Sequence, residues 1–301
     1  MRRPGSFEVT CLGVLALAGC GGGSAASPAT GNFAAAQAPL AAAFARPDGA
    51  AAKDILVLNY LSDSLSEFVP SSGELLQGYT IASGVLPDLT VAKGKIYVTD
   101  QSANAVYTYT LKGKPTTPTI TEALDEPTGI AVDKFGKIYV TNQGNGSLTV
   151  YDANGSLTTP RIGGLSTPTG VVVDKHGKIY IANGAGSVVT FTPTGAPAKP
   201  TITSGLVNPD YLAVDGKGNI YVADYTADDV VKYTAAGTQV APTITSGINT
   251  PVGLAVDAAG NIYVSNRGSG KVTWYSSDGD QKSPTITVPG ESGGAAGIAL
   301  P

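Results

Sequence analysis

From residue 55 to the end of the chain one motif returns every 41 or 42 residues. An isoleucine opens a short apolar run at Ile55, Ile96, Ile138, Ile179, Ile220 and Ile262. Downstream of each stands an aromatic, at Phe68, Tyr109, Tyr151, Phe191, Tyr233 and Tyr275, followed by Gly73, Gly113, Gly155, Gly195, Gly237 and Gly279. Two independent markers therefore share one period. A unit of roughly 40 residues made of short strands cannot bury both of its faces alone, so it must stack against copies of itself.

Each unit reads as four strands, a to d. Ile-Tyr-Val is strand b and the aromatic closes strand c. Strand d follows as a Pro-x-Ile segment at Pro118, Pro160, Pro200, Pro242 and Pro284, with Tyr79-Thr80-Ile81 as its first copy. Strand a starts after Pro87, Pro127, Pro168, Pro209 and Pro251, five copies against six of the others. The missing copy lies at the far end of the chain, where Gly297-Ile298-Ala299-Leu300 repeats the Gly-Ile-Ala-Val pattern. The expected architecture is all-β, a six-bladed β-propeller with four strands per blade, whose ring is closed by the C-terminal strand pairing with the N-terminal blade.

Ahead of the repeats the composition changes. Arg2 and Arg3 precede an apolar run over residues 9–17, too short to span a bilayer as a mature helix, which is the pattern of an export signal. Residues 21–52 are rich in Gly, Ala, Ser and Pro without periodicity, a tether rather than a folded element. The domain reading is a signal peptide over residues 1–19, a lipidated cysteine and linker over 20–53, and the propeller over 54–301.

Two resemblances enter on particular residues. Leu17-Ala18-Gly19-Cys20 resembles the lipobox of bacterial lipoproteins, which implies cleavage before Cys20, its lipidation and anchorage in the cell envelope. Gly21 stands where an aspartate would resemble an inner-membrane retention signal, which points to the outer membrane or cell surface. Such cleavage removes Cys11, the only other cysteine, so the mature chain forms no disulfide. Pro127-Thr128-Gly129-Ile130-Ala131-Val132-Asp133, followed by Gly136-Lys137-Ile138-Tyr139-Val140, resembles the NHL repeat, and the likeness covers residues 55 to 301. It implies the propeller fold and leaves function open, because propellers host binding modules and enzymes alike.

The residues supply no evident catalytic centre. NHL-like propellers resemble gluconolactonases, which hold a divalent metal, and virginiamycin B lyase, which uses a histidine base. Here the single histidine, His176, stands in an a-to-b turn, a position where sibling blades carry Phe135 or Ala259. One histidine and one lipidated cysteine cannot furnish a Cys/His metal site. A carboxylate-only Ca²⁺ site stays compatible with the acids present. Asn59, Asp100, Asn142, Asn183, Asp224 and Asn266 end strand b in every blade, and Asp133, Asp174, Asp215 and Asp257 recur in the a-to-b turns, so both sets read as architecture.

Departures from the repeat are more informative. Blade 5 reads Pro209-Asp210-Tyr211 and blade 2 reads Pro87-Asp88-Leu89 where the others carry Pro-x-Gly, and the two blades lie opposite each other in a ring of six. Blade 5 adds Asp224, Tyr225, Asp228 and Asp229 in its b-to-c loop, and Arg267 is a rare base on the same face. Asp88, Asp210, Tyr211, Asp224, Tyr225, Asp228, Asp229 and Arg267 are therefore the candidate ligand-binding residues.

Charge sorts by face. The d-to-a and b-to-c loops hold Asp63, Asp88, Asp100, Glu122, Asp125, Glu126, Asp210, Asp224, Asp228, Asp229 and Glu291 against Arg267 and Lys271, a net charge of −9. The a-to-b and c-to-d turns hold eleven lysines against eight acids, a net +3. An acidic mouth opposes phosphate binding, so nucleic acid is not an expected partner. The expectation is a monomeric, envelope-anchored binding or scaffold module whose mouth engages a cationic peptide, protein, sugar or metal ion. The alternative is a divergent lactonase- or lyase-type propeller enzyme.

Overall fold

The computed structural model describes residues 55–59, 64–69, 72–81, 84–85, 87–184, 186–288 and 298–299. Blade 1 contributes β1 (Ile55–Asn59), β2 (Ser64–Phe68) and β3 (Leu75–Thr80). Blade 2 is β4 (Leu89–Ala92), β5 (Lys95–Asp100), β6 (Ala105–Thr110) and β7 (Pro115–Ile120). Blade 3 is β8 (Pro127–Val132), β9 (Ile138–Asn142), β10 (Ser147–Tyr151) and β11 (Leu157–Ile162). Blade 4 is β12 (Pro168–Val173), β13 (Ile179–Asn183), β14 (Ser187–Phe191) and β15 (Pro197–Ile202). Blade 5 is β16 (Pro209–Val214), β17 (Ile220–Asp224), β18 (Asp229–Tyr233) and β19 (Gln239–Ile244). Blade 6 is β20 (Pro251–Val256), β21 (Ile262–Asn266), β22 (Lys271–Tyr275) and β23 (Ile286–Thr287). The last strand, β24 (Ile298–Ala299), returns to blade 1.

These are six four-stranded antiparallel sheets, and in the first the order is β24-β1-β2-β3. Ala299 pairs with Leu56 and Ile298 with Val57, so the C-terminal segment supplies strand a of blade 1 as the repeat count requires. The chain is a six-bladed β-propeller.

The core explains why strand b is an unbroken apolar run. Successive side chains of a strand point to opposite faces, and here each face meets a different neighbouring blade. In β9, Ile138 and Val140 pack with Tyr97, Val106 and Ile120 of blade 2, whereas Tyr139 packs with Val171 and Ile179 of blade 4. The same division recurs round the ring. The last junction brings Ile55, Val57 and Phe68 of blade 1 against Tyr263, Val272 and Ile286 of blade 6. Fully burying one such side chain contributes about 1.5–3 kcal/mol, so the blade junctions carry most of the stability.

Turn chemistry matches the recurring acids. Asp133 Oδ1 accepts from Phe135 N at 2.8 Å and Lys137 N at 2.9 Å, and its Oδ2 accepts from the Tyr139 hydroxyl at 3.2 Å. Asp174 does the same for His176 N and Lys178 N. The c-to-d turn glycines meet the preceding blade: a Cβ on Gly195, at φ +85°, would stand 2.5 Å from Pro160 Cβ. The equivalent contact of Gly73 with Pro284 runs from blade 1 to blade 6.

Candidate functional site

Pairing register resolves where the two irregular inner strands stand. Leu89 pairs with Val98 as Ile130 pairs with Val140 and Leu212 with Val222. Asp88 therefore occupies the place of Gly129, Gly170 and Gly253 in blades 3, 4 and 6, and so does Tyr211. Two of these glycines are constrained by close approach, since a Cβ on Gly129 would lie 2.3 Å from Thr169 O and one on Gly170 2.8 Å from Asp210 O. Blades 2 and 5 are the described exceptions, and their two side chains meet. The Tyr211 hydroxyl donates to Pro87 O at 3.2 Å and also hydrogen-bonds the Asp88 carboxyl, tying blade 5 to blade 2 across the axis.

This crossbar is buried, Asp88 being 2% and Tyr211 6% exposed. Asp88 Oδ1 accepts from its neighbour Leu89 N at 2.7 Å and Oδ2 from Ile130 N at 2.8 Å. Burial nonetheless pushes its pKa well above the carboxylate range, because those bonds do not offset the lost hydration and Asp210 lies near. Asp210, 5% exposed, is pushed up to about 7 by burial, against a hydrogen bond with Thr169 and the attraction of Arg267. Burial and the nearby carboxylates also raise the Tyr211 phenol well above 10.

Around the crossbar runs a relay of threonines that the sequence reading did not single out. Thr99 Oγ1 donates to Thr128 O of the next blade at 2.8 Å, Thr128 Oγ1 to Pro168 O at 2.9 Å, and Thr169 Oγ1 to Pro209 O at 3.4 Å. Each bond joins one blade to the inner strand of the next. For Thr128 and Thr169 the signal was the Thr of Pro-Thr-Gly in blades 3 and 4, whereas Thr99 lies in strand b of blade 2, where blade 3 carries Thr141.

The remaining candidates divide by role. Asp224 is 0% exposed and its carboxylate accepts from Val207 N, Asn208 N, Thr226 N and Ala227 N, so it braces two loops as Asn142 and Asn183 do for their blades. Asp228 is exposed, at φ 54°, and accepts from Thr250 N of the next blade at 2.5 Å. Tyr225 is half-buried and packs against the group of Leu58, Leu89 and Val252. Asp229 pairs with Asp224 across the strands, and its Oδ1 is sealed from water without a hydrogen-bond partner. Burial, then Asp224 and Asp228, push its pKa up to about 6. Cys20 lies outside the described residues.

One register of the mouth went unread in the sequence. The residue after strand b is Gln101, Gln143, Gly184, Tyr225 or Arg267, and Gln101 Nε2 donates to Gln143 Oε1 at 3.3 Å between adjacent blades. The charge of that face is also deeper than the sequence implies. Asp88, Asp100, Asp210 and Asp224 are buried, whereas Glu122, Asp125, Glu126, Asp228 and Asp229 reach the surface; Asp63 and Glu291 lie outside the described residues. On the opposite face the lysines are all exposed or half-buried. His176 is exposed there, in the wall of a groove of about 460 Å³ between the a-to-b turns of blades 4 and 5. Among the described residues no three His, Cys, Asp or Glu side chains converge as metal ligands.

Comparison places the chain by shape. The relationship is one of fold. It superposes on a chain of a nidogen/laminin complex with a TM-score of 0.70 at 18% identity, covering 82% of this chain and 98% of that one. Virginiamycin B lyase from Staphylococcus aureus gives 0.65 at 13% identity, covering 86% and 91%. A protein of unknown function from Bacteroides caccae gives 0.65 at 15%, covering 83% and 98%. No protein-family model and no curated protein matches the sequence.

Proposed function

We propose that this propeller is an exported, lipid-anchored NHL-type binding module, held in the envelope through Cys20, that engages a cationic ligand on the blade-5 side of its mouth. The observation that carries the reading is the Asp229 carboxyl, half-buried at the mouth beside Asp224 and Asp228, where burial and those two acids push its pKa up to about 6. A half-buried carboxylate in that position gains from an incoming ammonium or guanidinium, which offsets the clustered negative charge. Asp228 at the rim and the half-buried Tyr225 offer further contacts to a peptide side chain.

Sibling blades supply mild substitutions for the test, since Ser147 and Ser187 stand at the Asp229 register and Asn142 and Asn183 at that of Asp224. A short lysine-rich peptide titrated into the full-length protein in detergent should bind, weaken as salt rises, and lose at least tenfold in affinity in Asp224→Asn/Asp229→Ser. If the loss follows Lys134, Lys137, Lys175 and Lys178→Gln instead, the working face has been assigned backwards.

One observation favours the rival reading, a divergent lactonase or lyase. Asp210 holds a carboxyl whose pKa of about 7 suits a general acid or base. Lactone or cyclic-ester cleavage that persists in Asp224→Asn/Asp229→Ser and vanishes in Asp210→Asn would favour it over the binding module.

A further inference from the structure

Charge on the face opposite the mouth is not spread evenly round the ring. Blades 2, 3 and 4 hold nine of that face's eleven lysines against Asp133, Asp152 and Asp174, a net +6, whereas blades 5, 6 and 1 hold two lysines against five acids, a net −3. The basic sector is also ordered. Lys134 Nζ donates to Lys175 O at 2.9 Å and Lys175 Nζ to Gly216 O at 2.8 Å, each reaching the turn of the next blade. Lys95 Nζ donates to Thr117 O and Lys137 Nζ to Thr159 O within their own blades. An ammonium has three donors, so each of these four keeps two for a further partner. Asp133 and Asp174, by contrast, direct their oxygens onto amides of their own turns and a tyrosine hydroxyl.

Amid these lysines stands Phe135, 77% exposed, the most exposed large apolar side chain among the described residues. Lys134 Nζ lies 5.1 Å from its ring centroid. The turn itself has no need of the ring, since blade 4 carries His176 and blade 6 Ala259 at the same position. Leu75 and Leu76, also exposed, begin β3 at the same end of blade 1.

We propose that blades 2–4 of this face dock on an anionic phospholipid bilayer, with the lysines meeting headgroup phosphates and Phe135 entering the boundary between headgroups and acyl chains. Lysines flanking an exposed aromatic ring supply both attraction to the charged surface and an apolar contact beneath it. A soluble polyanion would use the first and leave Phe135 in water. The chain also enters the propeller at Ile55 on this face, so a lipid on Cys20 would tether the protein from the docking side. That last point alone rests on the lipidation reading; the charge and Phe135 do not.

The test uses full-length Phe135→Trp/Trp274→Phe, which moves the chain's only tryptophan into the basic sector, and vesicles of brominated phosphatidylcholine with or without phosphatidylglycerol. With phosphatidylglycerol the emission of the Phe135→Trp probe should shift to the blue and be quenched by the bromolipid, and added salt should reverse both. Adding Lys134, Lys137, Lys175 and Lys178→Gln should cut the quenching at least fivefold, whereas Lys217 and Lys282→Gln, in the other sector, should change it less than twofold. In the parent protein, which needs no substitution, the amides of turns 133–137 and 174–178 should exchange more slowly on anionic vesicles than on neutral ones. Quenching that is equal on neutral vesicles, quenching indifferent to the four lysines, or no quenching on anionic vesicles would overturn the proposal. A blue shift with soluble polyglutamate but not with vesicles would overturn it in favour of an acidic protein partner. Sedimentation with neutral vesicles reports the Cys20 anchor separately, so a protein that sediments with anionic vesicles without quenching refutes the docking face and leaves the anchor standing.

Discussion

Replacing Asp210 with Asn should stabilise the protein, and by an amount that depends on pH. The carboxyl moves from the usual 3.8 to about 7 on folding, first because burial strips its hydration. Below 3.8 it is protonated in both states and its titration costs nothing. Between 3.8 and about 7 the unfolded chain ionises and the folded one does not, so stability falls by about 1.4 kcal/mol per pH unit. Above 7 the loss levels off at up to ~4 kcal/mol, taking the whole interval at that slope. Asn has nearly the same shape and can still bond Thr169, so Asp210→Asn should recover most of that loss at pH 8 and very little at pH 4. For a domain of this size each kcal/mol moves the melting temperature by roughly 2–4 °C, so a rise of about 8 °C or more is expected at pH 8. Thermal melts of both proteins at pH 4, 6 and 8 decide the matter. A gain that is equal at all three values, or a loss at pH 8, would refute the account and show that the attraction to Arg267 outweighs burial.

Other outcomes follow from the ring. Deleting residues 293–301 removes β24 and should lower stability by several kcal/mol through lost ladder bonds and an uncovered strand edge, with the amides of Leu56 and Val57 losing their protection from hydrogen exchange. Gly195→Ala forces a Cβ onto Pro160 as well as straining a positive φ, whereas Gly94→Ala, at φ +72°, meets nothing within 4 Å; denaturant melts should show the first costing clearly more. Cys20→Ser should shift the protein from the membrane fraction to the soluble one on cell fractionation, as the lipidation proposal requires.

The strand plan was legible because its signals are local and recur six times: an apolar triplet long enough to be buried on both faces, a turn glycine, a proline. Ring closure was legible from arithmetic, one strand a too few at the start and one spare at the end. The recurring Asp and Asn residues were legible as braces for the same reason. Depth was not. Sequence places Asp100 and Asp224 in loops of one face and counts them as surface charge, but whether such a carboxylate faces solvent or folds back under backbone amides depends on how the loops leading into and within its own blade close over it. The Asp88–Tyr211 contact was half legible. Opposition across the ring followed from blade number, while a one-residue deletion in blade 2 hid the fact that both residues occupy the same register.

The way blade 1 is closed also sets how the protein answers to mechanical force. β1 lies between β24 and β2, paired to one over two residues and to the other over five. The chain enters β1 from its N-terminal side, so any tension arriving from residue 54 pulls along the strand and is met in shear, with several backbone hydrogen bonds strained together rather than peeled one by one. The neighbouring junction is the more yielding one. Phe68 stands where blades 2, 3, 5 and 6 carry a tyrosine and Val252 where blades 3 and 4 carry a threonine, hydroxyls that reach across to the adjacent blade as Tyr151 does to Glu122 O and Thr128 to Pro168 O, so this junction lacks both bonds. A propeller pulled from this end should therefore part between blades 6 and 1 while blade 1 itself holds, opening as a split ring does at its gap.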